Sequence, residues 1–244
     1  MDISNSAKLI AIGEEGIEIL KSIETKLIND ISVETIELNQ DVDKEFVRCL
    51  LDGVDVLFVT YNTENKRSND IVKAISFMAS ERRVLSVGIN SSQKNHNEEL
   101  NINREILIND SNKNELSEFM NIVIDSISDK TMISIDLTDL KEVFAGDKGM
   151  KYSYSKLSTD TNVDDMIAKI SENTTTIGDD FVGKNAVVLI EINDNEISES
   201  ETLILTNELL TKLIEVSDKS YEIIFSLNLI KNDNKEINIA TIYN

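Results

Sequence analysis

Short apolar runs alternate along this chain with stretches whose apolar residues recur every three or four positions. Ala7–Ile12 reads as a buried strand, and Glu15–Ile28 follows with Ile17, Leu20, Ile23 and Leu27 at helical spacing. The alternation continues with a strand at Val33–Leu38, a helix at Asp43–Leu51, a strand at Asp55–Tyr61, a helix at Asn69–Ser80 and a strand at Val84–Ile89. Asp55–Tyr61 is apolar at almost every position, as a strand inside a parallel sheet is. Strands and helices in this order predict an α/β unit with right-handed crossovers. Glu105–Ile108 reads as one more strand before the helix Asn114–Ser126, whose apolar stripe is Leu116, Met120, Val123 and Ile124.

The rhythm changes after that helix. Met132–Ile135 reads as a short strand running into a helix at Thr138–Phe144, and Gly146–Thr161 reads as polar and irregular. A helix at Asn162–Glu172, a strand at Asn185–Ile192 and a helix at Ser198–Val216 follow. Strands at Tyr221–Leu229 and Glu236–Tyr243 come last, with Asn232-Asp233-Asn234 between them as hairpin-turn chemistry. The expected organisation is an α/β unit over 1–113, a connecting helix over 114–131 and an α+β unit with a mixed sheet over 132–244.

Charge narrows the partners. The 45 acidic residues against 24 basic ones leave a formal net charge of −21. Nucleic acids and anionic membranes are bound through clustered basic residues, so both are excluded as expected partners. No apolar run is long enough to span a bilayer, so a soluble cytoplasmic protein without direct membrane insertion is expected. The single cysteine, Cys49, lies beside Val47, Leu50 and Leu51 and reads as a buried structural thiol. The single histidine, His96, falls in the polar run Asn90–Asn103 and reads as a solvated loop residue, so no metal site is expected.

One stretch carries candidate chemistry. In Ser134-Ile-Asp136-Leu-Thr-Asp139 two carboxylates stand three residues apart at a strand-to-helix passage. The residue types fit a helix start, with Asp136 or Thr138 as cap and Asp139 in the first turn. The stretch also resembles the Asn-x-Asp-x-x-Asp loop of the bacterial tubulin homologue FtsZ, with serine in place of asparagine. Asp55-Val-Leu-Phe-Val-Thr60 and Leu85-Ser-Val-Gly88 are similar to strands of that family, and Ile224–Ile230 with Glu236–Ile242 to its closing hairpin.

The resemblance implies a two-domain FtsZ/tubulin-like α/β fold: a GTPase-like parallel-sheet domain, a long central helix and an α+β domain. It implies that Asp136 and Asp139 would act on a neighbouring subunit, polarising the water that attacks its γ-phosphate. It also exposes losses. The family's glycine-rich signature loop falls on Glu64–Asp70, which has no glycine, and its guanine contacts fall near Lys113 and Ser117. What remains for a nucleotide is Gly13 and Gly16 in Ile12-Gly-Glu-Glu-Gly16, with Lys66 and Arg67 as basic substitutes.

Two functions follow from the resemblance. One is a pseudo-GTPase related to cell division or another cytoskeletal system, binding no cofactor and acting through contacts with itself or another FtsZ-like protein. The other is an atypical polymerising GTPase that still takes GTP or GDP. Gly13-x-x-Gly16 with Glu37 also fits a Rossmann start, but Glu14 and Glu15 oppose a pyrophosphate.

Overall fold

A computed structural model describes residues 7–27, 31–92, 100–108, 113–128, 131–145, 149–177, 181, 183, 185–216 and 222–244. The chain divides into two compact units, Met1–Asn121 and Ile122–Asn244.

The first unit is a five-stranded parallel sheet in the order β2-β1-β3-β4-β5. Its strands are β1 (Ala7–Ile12), β2 (Ile31–Ile36), β3 (Val56–Tyr61), β4 (Leu85–Asn90) and β5 (Arg104–Leu107). β3 and β4 are buried at every position, as central strands covered on both faces are, although β4 alternates Leu85, Val87 and Ile89 with Ser86, Gly88 and Asn90. The helices α1 (Gly13–Ile23), α2 (Lys44–Leu50) and α3 (Lys66–Glu81) connect them. Ile10, Ile12, Leu57, Val59 and Tyr61 of the sheet pack with Val47 and Leu50 of α2 and Ile71 and Ile75 of α3. Alternate side chains of a strand point to opposite faces, so Thr60 turns the other way, towards α1.

Cys49 is exposed, contrary to the sequence reading. α2 turns Val47 and Leu50 inward, and Cys49 lies between them on the outer side of the helix. His96 lies outside the described residues. The helix α4 (Lys113–Ser126) contains the division between the units, which falls after Asn121.

The second unit is a mixed sheet in the order β7-β6-β10-β8-β9. Its strands are β6 (Met150–Ser158), β7 (Thr175–Ile177), β8 (Asn185–Asn193), β9 (Glu222–Ile230) and β10 (Glu236–Tyr243), with helices α5 (Leu137–Phe144), α6 (Val163–Glu172) and α7 (Glu199–Glu215). Capping fixes each helix start: Asp136 for α5, Asn162 for α6, and a reciprocal Ser198–Glu201 capping box for α7.

Three readings of this half are corrected. Gly146–Thr161 is not irregular, because β6 occupies Met150–Ser158 and pairs with β10 along its length. Its buried hydroxyls find partners: Ser153 Oγ shares a 2.7 Å hydrogen bond with Thr241 Oγ1, and Ser155 Oγ accepts from Asn173 Nδ2 at 3.0 Å. Met132–Ile135 is not a strand. Only Ile133 bridges, to Leu227, before the chain turns into α5.

β9 and β10 do not form a hairpin either. β8 lies between them, parallel to β9 and antiparallel to β10. Its run Ala186–Ile190 is completely buried, and such a strand needs a neighbour on each edge. Residues 231–235 therefore cross the end of β8. Asn232 Nδ2 donates to Asn193 Oδ1 at 3.0 Å, Asn195 Nδ2 donates to Asp233 Oδ1 at 2.6 Å, and Lys235 has a φ of 51°.

Candidate functional site

In a doubly wound sheet, ligands bind beyond the carboxyl ends of the strands where successive connections leave in opposite directions. That point lies between β1 and β3, because the chain passes from β1 to β2 on one side and from β3 to β4 on the other. Gly13 leaves β1 with a φ of 71°, in the left-handed region that glycine tolerates. α1 then starts without a side-chain cap, since Ile12 at its N-cap has no acceptor to offer. Glu14 and Glu15 stand exposed in its first turn, where they favour the helix dipole but compete with a phosphate for it.

The chain's own groups occupy much of this crevice. The Leu38 side chain lies against Gly13, so near that a Cβ there would stand 3.1 Å from Leu38 Cδ2. Gly16 serves packing: a Cβ on it would meet the Thr60 carbonyl oxygen at 2.4 Å, and Thr60 Oγ1 donates to the Gly16 carbonyl at 2.9 Å. Glu64–Asp70 contains the start of α3. Asn65 is its N-cap, and Asn65 Oδ1 accepts from the Arg67 and Ser68 N–H groups at 2.9 and 3.2 Å. Those are donors that an anion at this helix start would use.

Arg67, expected as a phosphate attractor, donates from Nε to Leu38 O at 3.3 Å and from Nη2 to Gln40 O at 3.0 Å. It fastens the β2–α2 connection to α3. Lys66 is exposed on the first turn of that helix. Ser117, near a family guanine contact, is buried and donates to Glu118 Oε2 at 2.8 Å.

A polar network at the same end of the sheet was not visible in the sequence. Glu105 of β5 is fully buried. Its Oε1 accepts from the Tyr61 hydroxyl at 2.6 Å and from Asn90 Nδ2 at 3.0 Å. Asn90 Nδ2 also donates to Thr63 Oγ1 at 3.3 Å, and Thr63 Oγ1 shares a 2.8 Å hydrogen bond with Ser92 Oγ. Gly88 leaves room for the Tyr61 ring, because a Cβ there would meet the hydroxyl at 2.4 Å. Burial first, then the neighbouring Glu105 charge, pushes the Tyr61 phenol well above its usual range. Among the described residues no group of His, Cys, Asp and Glu could hold a metal ion.

The second candidate lies in the other unit. Ile133 exchanges two backbone hydrogen bonds of 2.9 Å with Leu227, and the Ile135 N–H donates to Ser126 O at 2.8 Å. Between and after these anchors Ser134 and Asp136 face solvent. Asp136 Oδ1 accepts from the Thr138 N–H at 2.7 Å, which holds its carboxyl below the usual carboxylate range. Asp139 is half-buried one turn into α5. The acids are thus displayed on a fixed backbone at a helix start.

No family model matches this sequence, and no match is found among curated proteins either. Solved structures do match. A point mutant of FtsZ from M. jannaschii superposes with a TM-score of 0.65 over 98% of this chain and 91% of its own, at 10% identity. An empty FtsZ dimer from M. jannaschii gives 0.66 over 99% and 89%, at 8% identity.

The fold is that of FtsZ. At such identity the likeness speaks for the architecture alone, and it agrees with the two-domain α/β arrangement expected from the sequence. The FtsZ-like fold brings Gly13, Gly16 and Arg67 together at the crevice of the first unit, with Lys66 exposed beside Arg67. Asp136 and Asp139 stand on the loop and helix start of the second. Asn65 was the legible omission, since an asparagine just ahead of a helical stripe is an N-cap signal.

Capping by Asp136 can be separated from any role at an interface. Asp136→Ala is expected to lower the melting temperature slightly, and Asp136→Asn, which keeps an acceptor for the Thr138 N–H, to melt like the parent. Because the folded carboxyl titrates below its ordinary value, its contribution is present above the carboxylate range and lost as pH falls through it. Thermal melts of the three proteins at pH 7 and pH 3 check both points.

Proposed function

We propose that this protein is a nucleotide-independent relative of the FtsZ-type cytoskeletal proteins, a pseudo-GTPase that works in the cytoplasm through assembly contacts with itself or another FtsZ-like chain. The observation that supports it is the start of α3. Where the resemblance places a glycine-rich phosphate loop, Asn65 takes the helix N–H groups for itself and Arg67 is spent on the Leu38 and Gln40 carbonyls. The exposed Asp136 loop, held between Leu227 and Ser126, is the surface offered to a neighbour. Calorimetry with GTP or GDP and Mg²⁺ is expected to show no saturable heat up to about 100 µM protein, a level that detects any useful affinity. Saturable binding would overturn the pseudo-GTPase reading.

One observation favours the second reading, an atypical GTPase. α1 begins at a left-handed glycine with no side-chain cap, so no capping side chain takes its first-turn amides. In that case hydrolysis per molecule would rise with protein concentration, because Asp136 and Asp139 would complete a neighbour's site.

A further inference from the structure

A groove runs along one side of α7 in the second unit. One stretch of about 600 Å³ lies between the start of α6 and the middle of α7. An adjoining stretch of about 380 Å³ reaches the β6–α6 and β8–α7 connections, and Leu205 and Glu208 line both. Glu201, Ile204, Leu205, Glu208 and Lys212 recur on α7 at intervals of three and four, one face of the helix. The neighbouring side is spent on the core through Thr202, Thr206, Leu209 and Leu213, and half-buried Leu205 stands at the edge between the two, packed against that core.

The groove face pairs apolar surface with uncancelled negative charge. Ile204 is 60% exposed, more than any other large hydrophobic residue among those described. Val163 and Ile197 add apolar wall on either side of Leu205. Both lysines of the groove are already neutralised, Lys212 by Asp164 at 3.3 Å and Lys235 by Glu196. Glu201 is engaged in the capping box and Asp194 by the Thr159 hydroxyl, yet each keeps its negative charge. Asp160 and Glu208 form no ion pair among the described residues. Lys235 lies near enough to feel Asp160, and Lys231 to act on Glu201. The six carboxylates that line the groove, Asp160, Asp164, Asp194, Glu196, Glu201 and Glu208, still outnumber its two lysines and leave a negative surface beside Ile204.

We propose that this groove docks a basic amphipathic helix of a protein partner, its aliphatic face on Ile204 and Leu205 and its lysines or arginines against Asp160 and Glu208. An occupant of that kind buries the exposed isoleucine and supplies the missing positive charge; a second copy of this acidic chain does neither as well. From Glu201 to Lys212 the face is roughly 16 Å long, about three helical turns. The proposal uses no residue of the Asp136 loop and does not rest on the assembly reading.

The test uses the full chain and two synthetic peptides of about 18 residues. Both have the same composition, lysines and leucines, one patterned as an amphipathic helix and the other scrambled. Fluorescence anisotropy at physiological salt is expected to show the amphipathic peptide binding at least about tenfold more tightly. Ile204→Ser should remove that preference, and Glu208→Lys should weaken the amphipathic peptide about tenfold. Glu81→Lys on α3 changes the net charge equally and should leave the affinity within about twofold. Equal binding of the two peptides, or equal effects of the two charge reversals, would overturn the proposal by showing only attraction of cations to an acidic chain. Thermal melts of the variants establish that each is folded.

Discussion

Gly16→Ala is expected to destabilise this protein strongly, more than the same change at Gly13 or Gly53. The new Cβ would stand 2.4 Å from the Thr60 carbonyl oxygen, and that oxygen belongs to the backbone of a central strand. A flexible side chain could move aside, but β3 is hydrogen-bonded to β1 and β4 on both edges and is fully buried. α1 would have to lift off the sheet and separate Ile19, Leu20 and Ile23 from it. Overpacking costs about 1–3 kcal/mol, the upper end where rigid backbone must move, and for a chain of this size about 3 kcal/mol lowers Tm by roughly 6–12 °C. Gly53→Ala is the control. It meets nothing within 4 Å and carries only the strain of a φ of 69°, about 1 kcal/mol. Parallel thermal melts decide: a loss at Gly16 no larger than that at Gly53 would mean that the contact with Thr60 is relieved at little cost.

Tyr61→Phe is expected to have the next largest effect. It removes one hydroxyl and leaves the buried Glu105 without a 2.6 Å hydrogen bond. An acceptor deprived of a donor inside the protein costs about 1–3 kcal/mol. The sign of the pH dependence is specific. The folded phenol titrates well above its ordinary value of 10.0, so the unfolded chain loses this proton first. Stability from Tyr61 is fully present below the ordinary tyrosine range and is lost as pH rises through it towards the folded value. Parent protein should therefore lose stability above about pH 10 more steeply than Tyr61→Phe, measured by denaturant unfolding across the alkaline range. Identical alkaline slopes would remove the hydroxyl from the account.

The parallel sheet was legible because β1 and β3 are apolar on both faces and β4 carries Leu85, Val87 and Ile89 in strict alternation, with helical spacing in the stretches between. β6 was not, because Ser153 and Ser155 enter the interior with hydrogen-bond partners from distant segments, Thr241 and Asn173. Periodicity cannot register a partner 88 residues away. The supposed hairpin failed for a similar reason. Asn232-Asp233-Asn234 has turn chemistry and does turn, yet the strand that separates β9 from β10 lies earlier in the chain.

At the candidate segments, the resemblance named residues and left their contacts open. Gly13 and Gly16 lie at the crevice, but what they face, Leu38 and Thr60, comes from other elements. Arg67 reads as a spare charge until the Leu38 and Gln40 carbonyls are seen beside it. Asp136 could be read as a cap from its own neighbourhood, and it is one.

The position of β10 between β6 and β8 bears on how the second unit comes into being. Its registers join Ile237 to Leu157 and to Ile192, so both sheet halves meet only through residues 236–243. During synthesis β6, β8 and β9 emerge first and have no common partner to close on. Until β10 arrives, β6 and β8 each present an unpaired, largely buried-type edge, the condition under which strands pair with the wrong chain. The long sequence separation also makes closure slow once it is permitted. Expression at low temperature or with abundant chaperone should therefore raise the yield of this unit more than that of the first, whose parallel strands mostly join neighbours made in succession.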